Sequence, residues 1–481
     1  MLKKLLLAFL LIILSLAGIV LFNTFRFSPA EDKIDVLPAP ELSSEALQHF
    51  QQAITFKTIS YGDSTLFDSA QFIGFRKFLE NTYPKTHQVL SREIVKGYSL
   101  LYKWEGKNPE LKPVVLMAHQ DVVPIEEATR TMWTVDPFGG VVKDNFIWGR
   151  GTTDDKVNLI AIMEAVEKLV AENYQPDRTV YLAFGHDEEI GGKGAVAIAR
   201  LLKERNIAAD FVLDEGGQIT ESKIPGLDRP VALLGTAEKG YISLKLSVSV
   251  PGGHSSMPEK ETAIDILVAA LNRLRSRPFE AGLTEPMKGF MESTGPYMPF
   301  VQRMAFANPW LFKKLILAEY AKTNTGDAMI RTTMVPTIIE SGIKDNVVPT
   351  VATAVVNFRL LPGHSSLLVM EEVRKKINDD RVSVAPLNKN ISEPSPVSPV
   401  NGFGYRKIAS TIRKSYPRVI TSPFLVIGAT DSRHFKDVSS NIIKFSPVID
   451  PIGFHGIDER ISLQSYRTAL WFYEQLLRDL E

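Results

Sequence analysis

The sequence predicts an α/β protein in which a mostly parallel sheet is flanked by helices and carries an inserted α+β domain. Two observations predict this fold. Continuous apolar runs such as residues 114–118 and 180–184 alternate with helical patterns across residues 43–236, as buried parallel strands and their crossover helices do. Residues 242–250 instead alternate strictly between apolar and polar side chains, which is typical of a strand with one exposed face. The period changes near Ala237, where the insertion is expected to begin.

The first 22 residues differ in character from the rest of the chain. Lys3 and Lys4 precede an apolar stretch over residues 5–22. A membrane-spanning helix needs about 20 apolar residues, with a lower limit near 17, whereas the core of a cleaved signal has about 7–15. We interpret residues 1–22 as a signal-anchor, or alternatively as a signal peptide cleaved near residues 15–17. A third interpretation is a buried helix of the globular domain.

Export of the globular part follows from either membrane interpretation. The two lysines are expected to remain in the cytoplasm, because basic residues flanking an apolar segment stay on that side. The catalytic domain would then lie in the periplasm, in a vacuole lumen or outside the cell, attached to the membrane or secreted after cleavage.

The remaining chain divides into four predicted segments. Residues 23–45 contain three prolines and little periodicity, which is typical of a tether. We assign residues 46–236 to the first part of a catalytic domain and residues 391–481 to its second part. Residues 237–390 form the inserted lid or dimerisation domain, because strand and helix patterns of a one-sided sheet alternate there.

Each further element follows from its own periodicity. In the first catalytic segment, helices are predicted at residues 159–169 and 195–202. In the inserted domain, helices are predicted at residues 262–274 and 366–377, with a second alternating strand at 352–360. Apolar residues three or four positions apart predict the helices, and a period of two predicts the strand.

Composition excludes several classes of function. Lys plus Arg number 55, as do Asp plus Glu, so no overall field attracts nucleic acid, and none is expected as a partner. The chain has no cysteine, which excludes disulfides, thiolate zinc sites and thiol nucleophiles. Any metal must be held by nitrogen and oxygen atoms, which suit Zn, Mn or Co.

Five side chains that can bind metal each follow an apolar run. Ligands of open α/β sheets bind beyond the carboxyl ends of the strands. Each side chain taken alone is better explained as a loop hydrogen bond, a helix cap or a solvated acidic turn than as a metal ligand. Their common placement favours a metal centre. The five are His119, Asp154, Glu189, Asp214 and His455.

The motifs around these residues resemble metallopeptidase family 20, which includes aminoacylase-1, carnosinase, glutamate carboxypeptidase and carboxypeptidase S. They match in order and approximate spacing over nearly the whole chain after residue 43. The resemblance is strongest to the carboxypeptidase S branch, which includes Gly-X carboxypeptidases and N-fatty-acyl-amino-acid hydrolase/synthases. The matching segments are Leu-Met-Ala-His-Gln-Asp at 116–121, Gly-Arg-Gly-Thr-Thr-Asp-Asp-Lys at 149–156, Asp-Glu-Glu-Ile-Gly-Gly at 187–192, Leu-Asp-Glu-Gly-Gly at 213–217 and His-Gly-Ile-Asp-Glu at 455–459.

This resemblance implies a role for each residue. Two divalent metal ions, zinc in the first instance, would share Asp154. His119 and Asp214 would complete one site, and Glu189 and His455 the other. Two further residues are implied to act without binding metal. Asp121 would orient His119, and Glu188 would be the general base. The peptide bond between residues 154 and 155 is a candidate for the cis form.

The inserted domain also matches the family. His254, in Pro-Gly-Gly-His-Ser-Ser, corresponds to a histidine that reaches the active site of the partner subunit and stabilises the oxyanion. A homodimer is therefore implied. Asn346 and Arg359 correspond to residues that contact the substrate carboxylate or amide, and residues 428–434 resemble a substrate loop. One departure is Val157, which stands where the family usually has glycine.

These observations predict a dinuclear metal-dependent hydrolase that cleaves an amide bond next to a free carboxylate, as a Gly-X carboxypeptidase acting on short peptides. One alternative is an N-acyl-amino-acid hydrolase/synthase, because residues 278–321 are rich in Phe, Met, Leu and Trp and could line an acyl pocket. Packing in the lid core or a dimer interface explains this stretch equally well. A second alternative is a noncatalytic membrane-anchored binding protein.

Overall fold

The computed structural model describes residues 1–29, 36–221 and 223–481. Residues 30–35 of the predicted tether lie outside the described residues. The tether is shorter at both ends than predicted. Asn23 to Arg26 continue the N-terminal helix, and Ser43 caps the next helix by accepting backbone N–H bonds from Glu45 and Ala46.

The strands fall into the three segments that the sequence predicts. Those of the first catalytic segment are β1 (Ser91–Val95), β2 (Ser99–Trp104), β3 (Val114–His119), β4 (Val141–Lys143), β5 (Phe146–Trp148), β6 (Val180–Gly185), β7 (Phe211–Asp214), β8 (Ile219–Thr220) and β9 (Val231–Glu238). Those of the insertion are β10 (Gly240–Ser249), β11 (Gly253–His254), β12 (Thr333–Ser341), β13 (Val347–Val348), β14 (Val351–Leu360) and β15 (Val382–Pro386). Those of the returning segment are β16 (Ile420–Val426), β17 (Ile442–Lys444) and β18 (Arg460–Ser462).

The helices follow the same order along the chain. In the first catalytic segment and before it are α1 (Leu2–Arg26), α2 (Ser44–Thr55), α3 (Ser69–Thr82), α4 (Pro84–Val89), α5 (Lys156–Ala171) and α6 (Lys193–Glu204). In the insertion are α7 (Ala263–Ser276), α8 (Glu285–Thr294), α9 (Phe300–Ala307), α10 (Pro309–Tyr320), α11 (Asn324–Ile330) and α12 (Ser366–Ile377). In the returning segment are α13 (Phe403–Ser415) and α14 (Leu463–Arg478).

A nine-stranded sheet with helices on both faces forms the catalytic domain, so the α/β fold class is confirmed. Its strand order is β1-β2-β6-β3-β7-β17-β9-β16, with β8 paired to β9. The centre is parallel, since β3 pairs in parallel with β6 and β7, and β7 with β17. Antiparallel pairs flank it at β1–β2, β2–β6 and β9–β17. The β9–β16 pair at the far edge is again parallel. The sheet is therefore mixed, and both its centre and this edge match the predicted parallel arrangement.

Apolar side chains on successive strand residues enter different cores. Val114 and Leu116 join the core beneath α5 and α14, whereas Val115 and Met117 join the core beneath α6. Both faces of β3 are buried, which explains why its sequence is continuously apolar. Val157, the departure from the family pattern, is fully buried in α5 within the first of these cores.

The lid has a four-stranded antiparallel sheet in the order β12-β14-β10-β15. Its strict alternation is explained by burial on one face. Ile242, Leu244, Leu246 and Val248 are all fully buried against α7 and α12. The predicted strands and helices of the lid are thus present, and α7 begins at a capping box formed by Thr262 with the residue three positions on.

The helices α8–α11 lie outside this lid, which corrects the predicted 237–390 unit. Met287, Met329 and Ile330 form a cluster with Phe424 of β16 in the large sheet. β16 is the last strand of that sheet, and α8 packs against it. The apolar stretch 278–321 therefore packs largely on the catalytic domain.

The N-terminal helix α1 is long and apolar enough to cross a membrane by length and composition. Only 6% of its most apolar window is buried in the protein. A signal sequence at this position passes the same test. The alternative of a buried core helix is excluded by this exposure.

Candidate metal centre

The candidate site lies at the carboxyl edge of the three central parallel strands. His119 is the last residue of β3, the pair Glu188 and Glu189 follows β6, and Asp214 ends β7. These strands are neighbours in the order β6-β3-β7 and run in parallel. Their ends therefore meet, as predicted for ligands that follow separate strands.

Asp154 lies between the two histidines. Its Oδ1 is 2.8 Å from His119 Nε2, and its Oδ2 is 2.7 Å from His455 Nε2. Glu189 Oε2 lies 3.4 Å from the same nitrogen of His455. Two groups of donor atoms thus share one carboxylate, which is the arrangement that a bridged pair of ions requires. The peptide bond between Asp154 and Asp155 is cis, as the resemblance implies.

The structure differs from the prediction at Asp214. Its Oδ2 accepts a hydrogen bond from the backbone N–H of Ser432. The next residue, Glu215, has Oε1 3.2 Å from His119 Nε2, and it groups with His119 and Asp155 as a possible metal-binding set. Successive side chains of an extended segment point to opposite faces, so only one member of the Asp214-Glu215 pair enters the site beside His119. Glu215, and not Asp214, is therefore the carboxylate that lies beside His119 in this structure.

Asp121 contacts both His119 and the backbone of Glu188 and Glu189. Its Oδ1 is 3.3 Å from His119 Nδ1, and its carboxylate accepts the backbone N–H groups of Glu188 and Glu189 at 3.1 Å each. The hydroxyl of Ser60 donates to the same carboxylate. Burial opposes ionisation of Asp121, but these bonds and the His119 charge lower its pKa. Asp121 therefore fixes the orientation of His119 and the backbone that carries the carboxylate pair.

Glu188 is not among the described side chains that group as possible metal ligands. It lines the adjoining cavity. Burial raises its pKa well above the usual value, and the nearby carboxylate of Asp431 raises it further. Asp431 is itself buried, and neither of its oxygens has a hydrogen-bond partner among the residues that the structure describes. Sequence reasoning placed Asp431 in a substrate loop without a role, because no pattern in the sequence signals contact with Glu188.

A buried ion pair that the sequence did not reveal supports the loop before Asp154. Arg150 Nη1 lies 2.5 Å from Glu459 Oε2. The other oxygen of Glu459 accepts backbone N–H bonds from Gly151 at 3.0 Å and Thr153 at 2.8 Å. Glu459 lies four residues after His455. One short segment therefore contains the His455 imidazole and also stabilises the loop that carries Asp154.

A cavity of about 1460 Å³ opens beside the site, between the catalytic domain and the lid. Asp154, Glu188 and His455 line one side, and Tyr241 and Arg359 of the lid sheet line the other. The guanidinium carbon of Arg359 lies 5.0 Å from the ring centre of Tyr241. The site therefore combines carboxylates and imidazoles on one side with a positive charge on the other.

His254 and Asn346 are not brought into this cavity. Neither is among the described residues that line it. Both are exposed, His254 in β11 and Asn346 in the turn just before β13, and Ser255 donates its backbone N–H to the carbonyl of Asn346. His254 Nδ1 lies 2.8 Å from the hydroxyl oxygen of Ser256. Within one chain, these two predicted site residues are therefore close to each other and apart from the carboxylate cluster.

The donor set fits divalent metal ions. Two imidazoles and three carboxylates converge without any thiolate, a combination that suits zinc, manganese or cobalt. Glu189 Oε1 is buried without a hydrogen-bond partner in the described part of the chain. A buried carboxylate oxygen is rarely left unsatisfied, so a bound cation would account for it. The five donors are His119, Asp154, Glu189, Glu215 and His455.

The nitrogen and oxygen donors share the carboxylate of Asp154, and the carboxylate of Glu188 lies beside them. This arrangement, at the strand ends of an α/β sheet with a lid, is that of a metallohydrolase. The sequence model of peptidase family M20/M25/M40 matches residues 115–479. The chain belongs to this family, which confirms the resemblance found in the sequence.

Comparison with individual proteins agrees. The chain is 40% identical to the probable carboxypeptidase S-like 2 of Dictyostelium discoideum, over 97% of this chain and 93% of that protein. It is 37% identical to the N-fatty-acyl-amino acid synthase/hydrolase PM20D1 of Homo sapiens, over 89% and 86% respectively. The crystal structure of the M20 family metallo-carboxypeptidase Sso-CP2 from Sulfolobus solfataricus shares the fold, with a TM-score of 0.64 at 20% identity, over 91% of this chain and 99% of that one. The protein is a metallohydrolase.

The assignment of Glu215 predicts different results for two neighbouring substitutions. Glu215→Gln should weaken metal binding beside His119, because an amide replaces a charged donor. Asp214→Asn should leave metal affinity nearly unchanged, because its amide oxygen can still accept the Ser432 N–H. Chelator competition followed by elemental analysis measures both. Greater metal loss from Asp214→Asn than from Glu215→Gln would restore the original sequence-based assignment.

Proposed function

We propose that the protein is a carboxypeptidase that removes the C-terminal residue of short peptides, using two divalent metal ions. The observation that carries this proposal is the position of Arg359, which lines the same cavity as Glu188 and Asp154. A guanidinium binds a carboxylate through paired hydrogen bonds. A substrate with a free carboxylate next to its scissile amide would therefore lie with the amide toward the carboxylate cluster. The carboxypeptidase S-like relative supports this substrate class.

The residues divide the work as follows. We assign metal binding to His119, Glu215, Asp154, Glu189 and His455, with Asp154 shared. Bound there, the ions supply Lewis acidity for the scissile carbonyl and for the attacking water. Glu188 takes the proton from that water and delivers it to the leaving nitrogen. Asp121 holds His119 and the backbone of Glu188 in place. Zinc is the proposed metal.

A second candidate function is hydrolysis or synthesis of N-acyl amino acids. Two observations favour it. The cavity volume of about 1460 Å³ exceeds what a dipeptide fills, and its wall includes the apolar side chains of Phe424, Val426 and Ile427. This apolar wall comes from β16 and the loop after it, whereas no described residue in 278–321 lines the cavity. The PM20D1 relatives support this alternative.

A panel of paired substrates tests both candidates. Metal-loaded full-length protein is incubated with Gly-X dipeptides, with N-acyl amino acids of increasing acyl length, and with the C-terminal amide of each. We expect turnover of free acids and almost none of the amides, because the amides lack the charge that Arg359 binds. Equal turnover of acids and amides would contradict the carboxylate role. Stoichiometric metal without any turnover would favour the noncatalytic binding protein.

We also propose that α1 anchors the protein in a membrane with the catalytic domain outside the cytoplasm. Its length of 25 residues and its apolar, exposed surface support this proposal. Lys3 and Lys4 support the orientation, because they favour the cytoplasmic side. Secretion after cleavage of the same segment remains the alternative.

The last part of the proposal is a homodimer in which His254 acts on the partner subunit's site. His254 is exposed and is not among the described residues that line the cavity of its own chain, and both facts support an action across subunits. An imidazole that donates to the developing oxyanion contributes several kcal/mol, about 2.7–4 for one donor in comparable sites. The homodimer also gives the exposed Asn346 a position next to a substrate.

Complementation between two inactive variants tests the shared site. Glu188→Ala and His254→Ala chains should each form nearly inactive homodimers. In a mixed dimer, one site keeps Glu188 from one chain and gains His254 from the other, so activity should return to up to about half per mixed dimer. The control mixes wild-type chains with chains that carry a substitution at the exposed Glu204. It shows whether the subunit-exchange procedure itself changes the activity. Confirmed mixed dimers without recovered activity would rule out action across subunits.

A further inference from the structure

The helical pair α9–α10 lies between the N-terminal helix and the catalytic domain. Asn308, at the junction of the pair, is fully buried. Its side-chain oxygen accepts a bond from Asn23 Nδ2 at 2.8 Å, and its Nδ2 donates to the Val20 carbonyl at 3.2 Å and the Thr24 hydroxyl at 3.3 Å. All three partners belong to α1. The junction is therefore fixed to α1 by both ends of one amide side chain.

These contacts set the level of α9–α10 along α1. The helix rises about 1.5 Å per residue, and a bilayer core about 30 Å thick takes up about 20 residues. Val20 to Thr24 are consequently the residues at the outer boundary of the bilayer core, if α1 spans it from its N-terminal end. A ring contact continues the junction one turn further, since Phe25 and Phe300 have centroids 6.2 Å apart.

The surface of the pair exposes large apolar side chains together with Gln302, Lys313, Lys314 and Glu319. α9 has no buried side chain, and α10 buries only Ile316. The large apolar side chains on this surface are between 41% and 66% exposed. We call them the docking face. Its members are Phe300, Val301, Trp310, Leu311 and Leu315.

The residues around the docking face are those of a membrane interface. Trp310 has an amphipathic ring of the kind that concentrates at the boundary between headgroups and acyl chains. Lys313 and Lys314 are exposed on the same helix, and long basic side chains reach toward lipid headgroups while their stems cover apolar surface. An exposed apolar patch with a basic rim marks an interaction site. The patch is continuous with the exposed apolar surface of α1 through the Phe25–Phe300 contact, which favours lipid as the occupant.

We propose that the α9–α10 pair docks into the outer leaflet of the membrane, with the docking face in the zone between headgroups and acyl chains. This inference rests on the proposal that α1 spans that membrane. Helices of this kind lie in the plane of the interface with their apolar side about 5–10 Å deep. The anchor would then hold the catalytic domain in one orientation instead of leaving it free on a tether.

Docking would also bring the catalytic cavity near the lipid. On the inner side of α10, Leu317 and Tyr320 pack in the cluster that contains Phe424. Phe424 in turn lines the catalytic cavity. The cluster of Met287, Met329 and Ile330 thus has α10 packed against it as well as Phe424 of the cavity wall. An N-acyl amino acid partitions into the same interface, so the cavity would lie beside the phase that concentrates such a substrate.

Site-directed spin labelling tests the proposal on the full-length protein, because the chain has no native cysteine. Single variants Val301→Cys and Leu315→Cys carry a nitroxide on the docking face, and both positions are exposed enough to tolerate it. Ile94→Cys is the matched control, since Ile94 is an exposed apolar residue of β1, at the opposite edge of the large sheet from β16. Leu10→Cys reports on the middle of α1. All are reconstituted in phosphatidylcholine vesicles containing phosphatidylserine.

Collision with oxygen, which concentrates in lipid, is compared with collision with a water-soluble nickel chelate. We expect a several-fold higher ratio of oxygen to nickel collisions at positions 301 and 315 than at position 94. If the ratio of oxygen to nickel collisions at positions 301 and 315 equals that at position 94 while position 10 lies in lipid, docking of α9–α10 is wrong and the α1 anchor stands. Position 10 in water would overturn the anchor itself. A second copy of the chain could instead cover the docking face. The nitroxides would then be protected from both reagents, and their spectra would be broadened until labelled protein is diluted with unlabelled protein. That result would overturn docking to lipid.

Discussion

Glu188→Gln is expected to lower kcat by about 10²–10⁴-fold while both metal ions remain bound. The substitution removes a carboxylate that can accept a proton and leaves the donor atoms of His119, Asp154 and His455 in place. The backbone N–H of residue 188 still donates to Asp121, so the local structure should persist. Steady-state kinetics on the best substrate of the panel, together with elemental analysis, measures the two effects separately.

Two comparisons make the Glu188 result specific. Glu204→Gln alters an exposed glutamate of α6 that pairs with Arg200, and it should leave kcat unchanged. Glu189→Gln should lose metal as well as activity, because Glu189 lies 3.4 Å from His455 Nε2 in the donor cluster. If Glu188→Gln and Glu189→Gln behaved alike in both measurements, the division into base and metal ligand would be wrong.

Asp154→Asn is expected to have the largest effect on metal content. Each oxygen of Asp154 faces a different histidine, at 2.8 Å from His119 and 2.7 Å from His455. An amide offers one neutral oxygen in place of two charged ones, so it cannot serve both positions. We expect metal content to fall from two ions per chain to one or fewer, and activity to fall to the background. The loss should exceed the roughly 10–100-fold typical of outer-shell substitutions.

Metal reconstitution followed by elemental analysis tests this expectation. The matched control is Asp177→Asn, which changes a partly exposed aspartate paired with Lys107 and should retain both ions. Retention of two ions in Asp154→Asn would show that the shared carboxylate is not required. If the wild-type protein never binds more than one ion per chain, an arrangement in which two ions share Asp154 is also wrong.

The sequence predicted most elements because local periodicity reflects burial. The continuous run ending at His119 is buried on both faces in β3, and the alternating run at 242–248 is buried on one face in β10. The direction of the outer strands was not predicted. β1 and β2 pair in an antiparallel manner, because the three residues 96–98 between them can form a hairpin turn but are too short for the crossover that parallel strands need.

The apolar stretch 278–321 shows the limit of composition as a guide to location. Its Phe, Met and Leu residues required burial or a partner, and the sequence allowed an acyl pocket, the lid core or an interface. In the structure, Met287 packs with Phe424 of β16, and α9 with the Asn308 junction after it contacts α1. Which surface accepts an apolar helix depends on which sheet edge is left uncovered, and that is a property of the assembled fold.

The sequence by itself determined the donor types, their order along the chain and the strands that carry them, because metal chemistry without cysteine restricts the ligands to imidazole and carboxylate. Tertiary structure decided which neighbouring carboxylate enters the site. In Asp214-Glu215 both side chains have the same chemistry, and only the end of β7 directs Asp214 to Ser432 and Glu215 to His119. It also decided that Asp431 lies beside Glu188 and that Glu459 holds the Asp154 loop. These contacts join residues more than 240 positions apart, and no local pattern encodes a distance across the fold.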